Sequence, residues 1–134
     1  MRKLGIWLDK KTAKIISIED GKTNMVTVDS NVESFRPKGG SGTKMKGGPQ
    51  DVVQDSKYKE REKHQFRDYF KQIIAQLPDH ESLVVFGPAE TGEKFAKELS
   101  TNYKHIFNVL RGVKKADSMT ENQMVAWVRE FYRS

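Results

Sequence analysis

Five consecutive residues in the first half of the chain, Lys46-Gly47-Gly48-Pro49-Gln50, combine groups that could orient a water or hydroxyl beside a phosphate-bearing ligand. The glycines allow backbone angles closed to other residues and let the main chain approach a ligand closely. A glutamine amide beside them can orient a water or a hydroxyl without ionising. Arg36, Lys38, Lys44 and Lys46 add cations that would hold phosphate. The plainer reading of the same residues is a flexible connector, which many Gly-rich basic loops are.

Other chemistries have less to work with. Asp9, ending the stretch "KLGIWLD", is where a first ligand of a two-metal nuclease would sit. That mechanism needs several convergent carboxylates; "LVVFG" ends without one, and Asp117 falls in a helix-entry turn. Asp9 reads more simply as a turn residue. His64, His80 and His105 show no metal-ligand spacing, and no nucleophile elbow is present. No metal or cofactor is expected. Gly87-Pro88, ahead of "AETGEKFAKEL", could aim backbone amides at an anion, but Glu90 and Glu93 oppose that use and fit better as partners of the helix dipole.

The composition narrows the classes further. The chain has 134 residues, of which 31% are charged and 36% hydrophobic, enough for one core and read as one domain over 1–134. Without cysteine it has neither disulfides nor thiolate metal ligands, so a reducing compartment fits. The opening apolar run is too short for a signal peptide or a membrane span, and a cytoplasmic protein with no membrane partner is expected. The net charge is +6, and it is concentrated. Between Ser34 and Arg67 nine Lys or Arg face four Asp or Glu, a local surplus of five. Such a segment is the footprint of a nucleic-acid partner, or else a solvated charged face.

The elements that must carry these residues follow from periodicity. "KLGIWLD", "AKIISIE" and "KTNMVTV" alternate as strands, and Asp20-Gly21 suits a type I′ hairpin turn between the last two. A flexible, basic, Gly-rich loop is expected over 36–55. Phe66, Tyr69, Phe70, Ile73, Ile74 and Leu77 then make one helical stripe ending before Pro78, while the charged half "SKYKEREKH" has little to bury and projects beyond the core. "SLVVFG" reads as a buried central strand, Ala89 to Leu99 as a helix, and "HIFNVL" as another strand. A last helix puts Met124, Trp127, Val128 and Phe131 on one face, entered through a Thr120/Gln123 capping box. The expected fold is α/β, β-β-β-α-β-α-β-α, a ribonuclease H-like mixed sheet with a long basic loop before the first helix. Fold order does not fix function.

The whole arrangement resembles the catalytic middle domain of archaeal and eukaryotic class I peptide-chain release factors. There a strand runs into an exposed basic loop bearing Gly-Gly-Gln, followed by a long charged helix. Here "ESFRPKGGSGTKMKGGPQ" leads into "KYKEREKHQFRDYFKQIIAQL" and then "SLVVFGPAETGEKFAKEL", over nearly the entire chain. The sequence is more similar still to small bacterial proteins related to that domain, which begin with a "GIWLD"-like strand and carry "FGPAE". The resemblance implies hydrolysis of the ester joining a nascent peptide to transfer RNA on the ribosome, with Gln50 matching the glutamine that positions water and Gly47 and Gly48 matching the glycines. Pro49 matches nothing. It separates the glycines from Gln50, removes an N–H and fixes its own φ. Several relatives, the Pelota-type rescue factors among them, lack the motif and only bind ribosomes.

Two readings therefore stand side by side. In one, Gln50, Gly47 and Gly48 are catalytic and the protein is a peptidyl-tRNA ester hydrolase in ribosome rescue or quality control. In the other, Arg36, Lys38, Lys44, Lys46, Lys57, Lys59, Arg61 and Lys63 bind the ribosome, transfer RNA or other RNA without turnover. A ribonuclease H-like nuclease and a plain protein-interaction domain are the remaining alternatives. Stop-codon termination is not expected, because a chain this size leaves no room for codon-reading and partner-binding domains.

Overall fold

The strand β1 (Lys3–Leu8) has both faces covered, and the sheet is laid out around it. Leu4, Ile6 and Leu8 enter a core on one side, and Trp7 enters a second cluster on the other, because successive side chains of a strand point to opposite faces. β2 (Thr12–Glu19) pairs antiparallel with β1, and β3 (Lys22–Asp29) pairs antiparallel with β2. β4 (Ser82–Gly87) and β5 (Leu110–Lys115) add in parallel on the far side of β1, giving the order β3-β2-β1-β4-β5. The structure is a computed structural model that describes residues 2–30 and 48–133, with the backbone alone over 48–58.

The two hairpin turns have clear local causes. Asp20 and Gly21 both take positive φ, 53° and 80°, between the facing residues Glu19 and Lys22; this is the type I′ geometry expected of Asp-Gly. At the first hairpin the Asp9 carboxylate accepts from the backbone N–H of Lys11 (2.8 Å) and Thr12 (2.9 Å), while the Asp9 N–H donates to the Thr12 carbonyl (3.0 Å). Asp9 thus closes its own turn.

Helices cover both faces. α1 (Gly48–Ala75), α2 (Thr91–Asn102) and the single turn α3 (Lys104–Phe107) lie on the side of Leu4, Ile6 and Leu8. They bury Phe66, Tyr69, Phe70 and Ile73 from α1, Phe95 and Leu99 from α2, and Ile106 from α3. α4 (Glu121–Arg133) covers the other face with Met124 and Val128, beside Trp7, Ile16 and Phe86. Trp127 stacks on Phe86 at 3.9 Å between ring centroids, with 4° between the ring planes. Gly5 lets α4 come this close, because a Cβ there would strike the Val128 side chain. The Thr120/Gln123 capping box is present in both directions: the Gln123 N–H donates to Thr120 Oγ1 (3.1 Å) and the Thr120 N–H to Gln123 Oε1 (2.9 Å).

The expected mixed α/β sheet of this element order is the observed one. Three boundaries move. α2 starts at Thr91, after Ala89 in the left-handed region at φ 55°. "HIFNVL" is not a strand: His105, Ile106 and Phe107 belong to α3, and the last strand is "LRGVKK". α1 begins at Gly48, so Gly48 to Asp55, the end of the stretch read as loop, are helical in backbone. Pro49 does not oppose this, since proline in a first helical turn forfeits only an N–H that has no helical partner.

The stripe from Phe66 to Ile73 holds α1 to the sheet, whereas Lys59 is exposed. In urea melts, Phe70→Ala should destabilise the protein by about 3–5 kcal/mol and Lys59→Ala by no more than about 0.5 kcal/mol. Equal losses at both sites would contradict the placement of the helix.

Candidate nucleic-acid interface

α1 is fastened by its C-terminal half and braced from the first hairpin. The Tyr69 hydroxyl, on a residue buried to 1% exposure, donates to the Asp9 carbonyl at 3.0 Å. Two helical turns earlier Glu62 pairs with Lys10 across 3.1 Å. Glu62, Phe66, Tyr69 and Ile73 share one face by helical spacing, so the turn that Asp9 closes fixes where α1 crosses the sheet. Burial, reinforced by the nearby Asp9 and Asp29 carboxylates, pushes the Tyr69 phenol far above the usual tyrosine range.

N-terminal to this brace the helix sequence is mainly charged and polar, with Val52, Val53 and Tyr58 as its larger apolar residues. Its 28 residues correspond to roughly 42 Å of helix, with Gly48 roughly 27 Å along the axis from Phe66. Lys59, Arg61 and Lys63 are exposed. Gly48 and Gln50 lie in the backbone of the first turn of α1. The side chains of Gln50 and Lys57, and Arg36, Lys38, Lys44, Lys46 and Gly47 altogether, lie outside the described residues.

The cationic side chains that the structure does describe are sorted by the helical period. Lys59 and Lys63, four residues apart, line a groove between α1 and α2 of about 510 Å³. Arg61 does not line it, since a residue two positions away points to another side of the helix. The groove also gathers Arg67 from α1 and Lys94 and Lys97 from α2, three cations that were not singled out as a site from the sequence. Its apolar lining is Phe66 and Phe70. Phe70 meets Phe95 edge-on at 5.2 Å, and the Lys94 ammonium sits 4.7 Å over the Phe66 ring, an attractive cation–π geometry. Aromatic packing between the helices is what sets the two rows of cations side by side.

The remaining chemistries do not assemble among the described residues. The Asp9 carboxylate is engaged in its turn, and no group of three His, Asp or Glu side chains is placed to hold a metal ion. At the start of α2, Glu90 and Glu93 flank the helix entry, as the dipole favours. Thr91 and Gly92 are buried there. No described helix is long and apolar enough to cross a membrane.

No protein-family model matches the chain, and no curated protein matches its sequence. Solved structures do share the fold. Pelota from Archaeoglobus fulgidus superposes with a TM-score of 0.60 at 11% identity, over 96% of this chain and 31% of Pelota. The archaeal translation termination factor aRF1 gives 0.55 at 11% identity, over 98% of this chain and 40% of aRF1. This chain therefore corresponds to well under half of either protein.

The brace can be tested through its phenol. Tyr69→Phe should cost about 1 kcal/mol, the worth of one hydrogen bond. A second readout is alkaline pH. Burial raises the Tyr132 phenol too, to about 12, and its hydroxyl donates to the Leu4 carbonyl at 2.6 Å. With both native values raised, the stability these groups contribute is complete below the ordinary value of 10.0 and is lost as pH rises through the native values. Urea stability should fall from pH 10 towards 12, less steeply in Tyr69→Phe; identical slopes would show that the phenol is not held neutral by the fold.

Proposed function

We propose that this protein is a translation-associated RNA-binding domain that engages the ribosome through the basic segment 36–67, made of the residues before α1 and the outer half of α1. The observation that carries the reading is α1 itself. Its apolar half is docked on the sheet and its charged half is left to reach a partner, on a fold shared with Pelota and aRF1. Support also comes from the resemblance of "ESFRPKGGSGTKMKGGPQ" and the following helix to the release-factor middle domain, and from a charge surplus that lies almost entirely in that region. Ribosome rescue or quality control is the setting that suits the chain, with transfer RNA or ribosomal RNA as the contacted molecule.

Peptidyl-tRNA ester hydrolysis is the second reading, favoured by Gln50 standing just after Gly47-Gly48. The first turn of α1 argues against it. Helical backbone at Gly48 and Gln50 forgoes the angles that only glycine can adopt, and Pro49 displaces the amide along the chain by one residue. The binding module is therefore the preferred form of the proposal, with slow hydrolysis at most.

Co-sedimentation with ribosomes tests the binding half. Wild type should pellet at low salt and be released as salt rises, as counterion release requires, and Lys38→Ala/Lys44→Ala/Lys46→Ala should pellet less at every salt with an unchanged melting temperature. Binding that ignores salt, or no binding, would refute it. Peptidyl-tRNA release tests the other half: fast release by wild type, cut about a hundredfold or more in Gln50→Ala, would establish the enzyme instead.

A further inference from the structure

The groove between α1 and α2 pairs two rows of cations that are far apart in sequence. Lys59, Lys63 and Arg67 follow one another at four-residue intervals on α1, rising roughly 6 Å at each step. Lys94 and Lys97 face them from α2 across the rings of Phe66 and Phe70. Five cations thus share the groove with two carboxylates, Glu62 and Glu98. Glu62 pairs with Lys10 at 3.1 Å and Glu98 accepts from the Asn102 amide at 2.8 Å; counting both acids, the groove keeps a surplus of three positive charges. Among the described residues, Lys63, Arg67 and Lys97 make no ion pair.

A surplus of cations set side by side by aromatic packing repels itself, and a polyanion laid along the groove would relieve that repulsion. Resting on the RNA-binding reading above, we infer that this groove is a track for the phosphodiester backbone of a single RNA strand, with Lys63, Arg67 and Lys97 as its main phosphate contacts. The chemistry of the lining makes the contact one of backbone rather than sequence. Both phenyl rings belong to the buried core, with Lys94 over one of them, so neither offers a free face on which a base could stack, and among the described residues no Asn or Gln lines the groove to read an adenine edge. The track continues the positive segment of α1 onto α2, so it extends the contact surface beyond 36–67 to the second helix.

The test is fluorescence anisotropy of the full chain with a labelled, unstructured RNA 12-mer, in two base compositions, across a salt series. Lys63→Ala/Arg67→Ala/Lys97→Ala should bind both RNAs about tenfold more weakly or worse, and the slope of log K against log salt should shrink by about 2, the value for three lost phosphate contacts on a single strand. Lys22→Ala/Lys104→Ala/Lys115→Ala removes the same charge away from the groove and should bind nearly as wild type does, and all three proteins should share one melting temperature. Wild-type affinity and slope in the groove variant, with loss only in Lys38→Ala/Lys44→Ala/Lys46→Ala, would overturn the track and leave the RNA-binding reading standing. Equal losses in the groove and control variants would also overturn it, as would groove-dependent binding of polyglutamate but not RNA. A wild type that binds neither RNA nor ribosomes would overturn both.

Discussion

The docking of the C-terminal half of α1 on the sheet is the constraint on which the rest depends. Phe66, Tyr69, Phe70 and Ile73 are buried against Leu4, Ile6, Leu8 and Ile15, and burial of large side chains of this kind is the main favourable term in such a fold. The helix does not stop where its apolar stripe does. Because an α-helix is stiff over its length, fixing the crossing point of the stripe also fixes the direction of the charged residues before it. The Tyr69–Asp9 hydrogen bond and the Lys10–Glu62 ion pair set that crossing from the first hairpin.

The two faces of the sheet divide the labour. On the α4 side, Gly5 brings Val128 against β1, and the Phe86–Trp127–Phe131 stack closes the layer. On the α1 side, the edge-on contact of Phe70 with Phe95 leaves an open seam between α1 and α2, rimmed by lysines and an arginine. Long cationic side chains suit such a rim, since they cover aromatic surface with their stems and keep their charges in water. The same packing that stabilises the helix pair thereby makes a positively charged surface.

The features most legible in the sequence were those with a local cause. Asp20-Gly21 carried its turn type and Thr120 with Gln123 carried its helix cap, because each depends on the residues themselves. The α1 stripe was legible from spacing. The last strand was not. "LRGVKK" is an edge strand, half covered, with three basic residues and a glycine, so it lacks the alternation that marks a strand, whereas "HIF" carries two apolar residues but buries only Ile106. Short apolar runs do not distinguish a turn of helix from a strand. The start of α1 was hidden because Gly48 to Asp55 shows no apolar period and begins with residues typical of loops. Lys94 and Lys97 were hidden for another reason: nothing in their own neighbourhood marks them, and they join Lys63 and Arg67 only through the packing of Phe70 on Phe95.

In the proposed RNA-binding mode one side of the molecule, the outer half of α1 and its seam with α2, meets RNA while the α4 side does not. Hydrogen exchange of the full chain, free and bound to ribosomes, reads this directly. Slowed exchange should appear over 36–67 and around Lys94 and Lys97, with α4 and the exposed β3 edge unchanged. Slowed exchange on α4 or β3, with α1 and α2 unaltered, would contradict the account.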